Sequence, residues 1–305
     1  MRQLRLRAGG AAMVLASIVA LTGCGHRSAP RPEATPPATK STSPPKSGSR
    51  YSQDQDSTPG GPPPDVSKIP EPVPKVEPRS QYGNKSPYTV LGETYSVLPQ
   101  ANGYVERGIA SWYGNKFHGF TTSTFEKYDM YAYSAASKTL PLPSYARVTN
   151  LENGHSVIVR VNDRGPFVQN RVIDLSYVAA VKIGVWPKGT AMVEVRAIDP
   201  AHPEAEPASP RAVSTRASAA APEKTHKPAL YLQVGAYGDR ANAERAAAKV
   251  RAARLGDVRI VTAQVNGKDL QRVRLGPLED VDEADRLTPK VRDLGLGEPR
   301  VAIDD

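Results

Sequence analysis

The sequence has a single cysteine, Cys24, in 305 residues, so no disulfide can form within the chain. Apolar residues are also scarce. They make up 39% of the chain, below the ~45–50% typical of globular domains, so part of the length lacks the apolar area to fold. No stretch after residue 24 holds the ~18–20 continuous apolar residues of a membrane helix. Concentrated positive charge is missing too. The net charge is +9, but a third of it is Arg2, Arg5 and Arg7, and residues 228–305 carry equal numbers of acids and bases. A nucleic-acid binder gathers Lys and Arg on one folded element, so nucleic acid is not an expected partner.

Proline is abundant and clustered. Of 29 prolines, 16 fall between Gly25 and Gln100 and six between Pro200 and Pro228. The chain divides accordingly into a leader (1–23), a Pro-rich tether (24–87), a first domain (88–199, core 104–198), an Ala/Pro-rich linker (200–228) and a second domain (229–305). The leader has a basic start, an apolar run from Ala11 to Leu21, and Leu21-Thr22-Gly23-Cys24 at its end. This resembles a bacterial lipobox, and lipid attachment explains an otherwise partnerless thiol. Acylation of Cys24 would hold the chain on a membrane. Gly25, not Asp, follows the cysteine, which in lipoproteins of this kind implies the outer membrane of a Gram-negative bacterium, facing the periplasm. The tether reads as a disordered, partly polyproline spacer reaching on the order of 150 Å.

Order is expected to begin near Tyr88, with a hairpin of Tyr88–Leu91 and Thr94–Val97 around Gly92-Glu93. Further β-rich runs cover 104–114, 146–150, 156–162 and 190–198. Asn153-Gly154 signals a two-residue hairpin turn. A short helix is predicted over Ser176–Ile183, capped by Asp174 or Ser176 and stopped by Gly184. Many short strands with little helix predict a small β-barrel.

Several segments of this region are similar to the rare lipoprotein A family. They are Gly108-Ile109-Ala110-Ser111-Trp112-Tyr113-Gly114, Phe117-His118-Gly119, Lys138 to Tyr145, Val148-Thr149-Asn150-Leu151 and Val159 to Phe167. The resemblance implies a double-psi β-barrel and an endolytic peptidoglycan lytic transglycosylase, which closes a 1,6-anhydro ring on the sugar without water. It also implies a site. An isolated Glu126-x-x-Asp129 reads more readily as two solvated loop carboxylates, but the family places its acidic pair here. A family histidine follows in an Ala-Ala-His-Lys-Thr-Leu-Pro run, which here is Ala135-Ala136-Ser137-Lys138-Thr139-Leu140-Pro141. A hydroxyl cannot exchange protons near neutrality as an imidazole does, so Ser137 predicts weakened catalysis. Asp163, beside Arg164, is either a turn or salt-bridge residue or a cleft aspartate of the kind related barrels keep. Asp174 reads as a helix cap. His118 is a candidate for the same cleft, and His155 reads as solvent-facing. Trp112, Tyr113 and Tyr145 divide evenly between sugar stacking and core packing. No metal or cofactor is expected.

Residues 229–305 read as β-α-β-β-α-β, the ferredoxin-like plan. The helices are placed at 243–253 and 282–294. Leu230, Leu232, Val234 and Ala236 alternate against Tyr231, Gln233 and Tyr237. Gln233-Val234-Gly235-Ala236-Tyr237, Asn242-Ala243-Glu244 and Arg272 to Pro277 resemble a SPOR domain. That family binds glycan strands lacking stem peptides, which implies enrichment at the division septum and divisome proteins as further partners. Gln233, Tyr237, Arg272 and Arg274 are the expected glycan contacts; the two arginines could instead be merely solvated. A rival expectation follows from Ser137: a noncatalytic septal glycan-binding lipoprotein of the outer membrane.

Overall fold

The computed structural model describes residues 57–202, 228–265 and 267–304. The leader, Cys24, the first part of the tether and residues 203–227 lie outside the described residues.

Order begins well before Tyr88, which corrects the expectation of a disordered tether through residue 87. Residues 57–87 form a strap on the barrel. Asp65 accepts from Ser67 N at 3.1 Å and caps a 3-10 turn, Val66–Lys68. Val66 and Ile69 pack against the barrel core. Glu71 pairs with Lys182 at 2.6 Å and accepts from Ile158 N at 2.9 Å. Asn84 Nδ2 donates to the Leu142 carbonyl at 2.7 Å, and its Oδ1 accepts from Leu142 N at 2.8 Å. Proline presets an extended backbone, and these few apolar and polar side chains fix it in place. The hairpin follows as β1 (Tyr88–Val90) and β2 (Glu93–Tyr95). Its turn is Leu91-Gly92, both at positive φ, one residue earlier than expected.

The first domain contains β3 (Val105–Tyr113), β4 (Ser134–Ser137), β5 (Ser144–Asn150), β6 (Ser156–Asp163), β7 (Arg171–Ser176), α1 (Tyr177–Ile183) and β8 (Ala191–Ile198). These strands close a six-stranded barrel in the order β3-β7-β4-β6-β5-β8. The β3/β7 and β4/β6 pairs are parallel and the rest antiparallel. Period-2 alternation turns Val157, Val159, Val161, Ile173, Leu175, Val193 and Val195 inward, each at most 1% exposed. Gly184 at φ 77° ends α1 as predicted. The Asn153-Gly154 segment differs: only Gly154 has positive φ, so it is a wider loop closed by Asn150 N to the His155 carbonyl at 2.8 Å. The asparagines are engaged elsewhere, since Asn150 and Asn153 both donate to the Ile183 carbonyl at the end of α1.

The second domain runs β9 (Ala229–Tyr237), α2 (Arg240–Ala252), β10 (Val258–Val265), β11 (Lys268–Leu278), α3 (Val281–Asp293) and β12 (Arg300–Asp304). The antiparallel order β10-β11-β9-β12 is the ferredoxin-like arrangement. Asp239 and Asp280 cap the helices through Asn242 N and Glu283 N at 2.9 and 2.8 Å. This domain is seated against the barrel. Ile109, fully buried, and Met192 point out of β3 and β8 into its apolar cluster. Arg171 on β7 is bidentate to Asp285 on α3 at 2.6 and 3.2 Å.

Candidate active site

Cross-strand register assembles the site. Asp163 on β6 is opposite Ala136 on β4, Ala136 is opposite Asp174 on β7, and Asp174 is opposite Ser111 on β3. Paired residues share a sheet face. Ile173 and Leu175, flanking Asp174, fill the core. The four side chains therefore lie in one row on the outer wall of the barrel. The floor between the two carboxylates is small: a Cβ on Gly165 would stand 3.7 Å from Ala136 Cβ and 3.9 Å from Asp174 Oδ2.

The row changes the acidity of its members. Asp174 is densely enclosed yet keeps part of its surface in solvent. Burial pushes its carboxyl up to about 6, against the hydrogen bond from Ser111 Oγ and the charges of Arg171 and Lys138; Asp163 adds to the rise. Burial likewise raises Asp163, opposed by Ser123 Oγ and N at 2.6 and 2.8 Å and by Arg164 N at 2.8 Å. The Tyr113 hydroxyl, buried beside this pair, is raised by burial and by both carboxylates.

Asp174 is not a helix cap. Ser176 holds the N-cap position, and Asp174 sits inside β7. Its signal was legible as a polar residue alternating with core Ile173 and Leu175. Proximity to the helix drew the cap reading instead.

Glu126 reaches β6 from the loop closed by the Thr121–Lys127 bridge. Arg160 binds it with both terminal nitrogens at 2.7 and 3.0 Å, and Asn162 Nδ2 donates at 2.8 Å. Burial alone would raise its carboxyl; the hydrogen bonds from Arg160 and Asn162 and the arginine charge outweigh that and hold it below the usual range. Arg160 is fixed in turn by Glu77 of the strap at 2.9 and 3.0 Å, and Glu77 also accepts from the Tyr145 hydroxyl. Ser123 and Glu126, three residues apart, thus grip Asp163 and its neighbour Asn162. Arg160, Asn162 and Glu77 went unread in the sequence because β6 pleating and a distant strap bring them together.

Asp129 stands apart. It is exposed, accepts from Tyr131 N at 2.9 Å, and lies 3.8 Å from His118 Nδ1. That nitrogen already accepts from Met130 N at 3.2 Å.

Ser137 lies at the end of β4. It pairs with core-facing Ile173, is 1% exposed, and its Oγ accepts from Thr139 N and Leu140 N at 3.3 and 3.2 Å. It faces the turn beneath the strand. Arg164 makes no ion pair with Asp163 within the described residues. Its guanidinium donates to the carbonyls of Gly83, Ser137 and Leu140 at 2.7, 3.0 and 2.6 Å. The three aromatic side chains resolve toward packing. Tyr113 stacks on Tyr128 at 4.1 Å, Trp112 meets Tyr177 at 5.8 Å, and the Tyr145 hydroxyl is held by Glu77.

In the second domain, Gln233 pairs with Arg274 on one side and Arg300 on the other, on the face away from the helices. Arg272 shares that face opposite Ala236 and Val261. Tyr237 does not. A β-bulge shifts the register between Val273 and Arg274, so beyond it Gly235 pairs with buried Val273 and Tyr237 turns onto the helix-side core. A Cβ on Gly235 would strike that tyrosine at its hydroxyl at 2.7 Å and at its ring carbons at 2.9 Å. Arg274 is also unavailable. It is 7% exposed, paired with Asp304, and its guanidinium stands 5.9 Å from the Tyr231 ring. Arg259 lies over the same ring at 4.2 Å.

Comparison with known proteins agrees with both units. Residues 105–195 match the family model described as lytic transglycolase, a double-psi β-barrel, and residues 227–299 match the SPOR domain. A crystal structure of the RlpA SPOR domain from Pseudomonas aeruginosa is 38% identical and covers 24% of this chain and 96% of that one, with a TM-score of 0.23. The endolytic peptidoglycan transglycosylase RlpA of Vibrio cholerae is 52% identical over 151 residues, half of this chain and 57% of the relative. The protein of the same name from Pseudomonas aeruginosa strain UCBPP-PA14 is 43% identical over 283 residues, 79% of this chain and 82% of the relative. With that identity over 79% of the chain and both domain models matched, the chain belongs to the RlpA family.

Proposed function

We propose that this chain is an endolytic lytic transglycosylase that cuts peptidoglycan glycan strands. The observation that carries the reading is the outer-wall row with Asp174 raised to about 6 beside carboxylates of other character. Cleavage needs a proton for the departing glycosidic oxygen, negative charge near C1 as the oxocarbenium ion develops, and a base for the C6 hydroxyl. Asp174 is the group with an accessible proton near neutrality, and it gives that proton as the C1–O bond breaks. Asp163, or the arginine-held Glu126, supplies negative charge. The C6 hydroxyl then attacks C1, and its proton passes to the Asp174 carboxylate, which restores the starting state.

Substrate and place follow from the second domain and the leader. Gln233, Arg272 and Arg300 offer amide and guanidinium donors on an open sheet face, suited to acetyl and lactyl oxygens of strands without stem peptides. Such strands would enrich the protein at the division septum, among divisome proteins. Cys24 would anchor it in the outer membrane as a periplasm-facing lipoprotein. The alternative is a noncatalytic septal glycan-binding lipoprotein, which rests on Ser137 at the position of the family histidine; the raised carboxyl of Asp174 favours the enzyme.

The test is release of 1,6-anhydro ends by the purified chain from peptide-free strands and from strands that keep their peptides. Product from the peptide-free strands alone is expected. No product from either sinks the enzyme reading, and equal product sinks the preference.

A further inference from the structure

The loop that carries Glu126 holds a residue in a conformation that its side chain disfavours. Thr122 N donates to the Glu126 carbonyl at 2.8 Å, which closes a three-residue hairpin loop over Ser123, Thr124 and Phe125. The third position of such a loop is left-handed and normally glycine. Here it is Phe125, at φ 68°. A bulky residue there is strained. The ring gains no core contact in return, since Phe125 is 67% exposed.

Among the described residues the ring pairs with one other aromatic ring, and that partner is firmly mounted. Tyr82 of the strap lies 4.3 Å from Phe125 between ring centroids, tilted by 43°, and is itself 48% exposed. The strap is fixed on both sides of Tyr82. Ser80 N donates to the Leu142 carbonyl at 2.8 Å, and the Gly83 carbonyl accepts from Arg164 at 2.7 Å. The loop side is fixed by Ser123 on Asp163. Two exposed aromatic rings thus stand beside Glu126 on hydrogen-bonded segments, one of them on a left-handed backbone. Strain kept at an exposed position next to a site marks a role there.

We propose that Phe125 and Tyr82 form a stacking platform for a pyranose ring of the glycan strand, a binding subsite adjoining Glu126. An exposed, pre-positioned aromatic face meets the apolar face of a sugar with little ordering cost. The inference rests on the glycan-cleaving reading for its ligand, and its test is chosen to stand apart from turnover.

The full mature chain is labelled with 4-fluorophenylalanine, and the Phe125 fluorine resonance is assigned by its loss in Phe125→Asn. Titration with a peptide-free tetrasaccharide of alternating N-acetylglucosamine and N-acetylmuramic acid should shift that resonance, and Tyr82→Ala should weaken the shift's concentration dependence about fivefold. In turnover, Phe125→Asn should raise KM about fivefold with kcat within twofold, while Phe125→Tyr restores wild-type KM. Asn tolerates the left-handed backbone, so the same variant should melt about 2–4 °C higher. A Phe125 resonance indifferent to the tetrasaccharide, or an Asn variant with wild-type KM, overturns the platform. If the wild type releases no anhydro ends, the enzyme reading fails, and the fluorine shift still decides the platform.

Discussion

The two domains use polar side chains in opposite ways. The barrel presses two carboxylates into a row on its wall, over a floor of Ala136 and Gly165, and raises Asp174 to about 6. The second domain spreads Arg259, Arg272 and Arg300 with Gln233 over an open sheet face, where Asp304 is tied to Arg274. A recess shifts proton affinity because it removes water from a charge; an open face leaves donors solvated and ready to bind. The first arrangement suits chemistry on a strand, and the second suits holding one.

The sharpest way to break this contrast is Asp174→Asn. If the recess performs the chemistry, release of 1,6-anhydro ends should fall at least 10³-fold, while the chain still sediments with peptide-free glycan as wild type does. A residual rate within tenfold of wild type would move the proton to another group and leave Asp174 a buried structural carboxyl.

The same substitution has a stability consequence with a definite sign. A carboxyl raised from 3.8 to about 6 on folding favours the protonated form in the native state. The folded chain is therefore penalised as pH rises from about 4 to about 6, and the penalty is constant above that. At 1.36 kcal/mol per unit its upper bound is about 3 kcal/mol. Asp174→Asn removes it. The variant should melt higher than wild type at pH 7.5 and close to it at pH 4, with the gap opening between. A gap independent of pH would mean that Asp174 is not shifted.

What the sequence disclosed follows the same divide. The second domain's helices and strands each contain their own periodicity, so α2, α3 and all four strands were legible within a few residues. The exception was Tyr237, because a bulge inserts one residue and turns the following side chain to the other face. The barrel's site was less legible. Its row joins β4 and β7, the two strands that carry too little pattern to be read as strands. Ser134–Ser137 is four small residues, and Arg171–Ser176 runs directly into α1. Glu126 and Asp163 were named through the family resemblance and not through their local pattern, whereas Asp174, Ser111 and Arg160 needed register. The strap was missed because its order comes from contacts made by Glu71, Glu77 and Asn84 with distant residues, against a composition that argues for disorder.

The open face of the second domain can be sharpened by comparing two sets of substitutions. Gln233→Ala with Arg272→Ala should weaken sedimentation with peptide-free glycan about tenfold and leave melting within 1–2 °C. Tyr237→Ala should do the reverse: lower the melting temperature through lost packing on the helix-side core, with glycan retention preserved in the folded fraction. Weak retention by folded Tyr237→Ala, with wild-type retention by the double variant, would assign binding to the opposite face.

The smallest expected effect is at Ser137, the position where the family resemblance implies a histidine. An imidazole placed there would enter a site that is 1% exposed, opposite Ile173. It would also replace a hydroxyl that receives two backbone N–H groups of the turn at 139 and 140. The ring can accept one of those bonds at most, and its bulk must displace the turn or the core. In neither case does it gain a path to Asp174, which lies on the other face of the sheet. Ser137→His should therefore change the rate of anhydro-end release by less than threefold and lower the melting temperature. A gain of tenfold or more, lost again on adding Glu126→Gln, would show that the strand end reorients to bring position 137 into the site. The proton would then belong to a pair of loop groups, and the recess on the barrel wall would lose its claim to the chemistry.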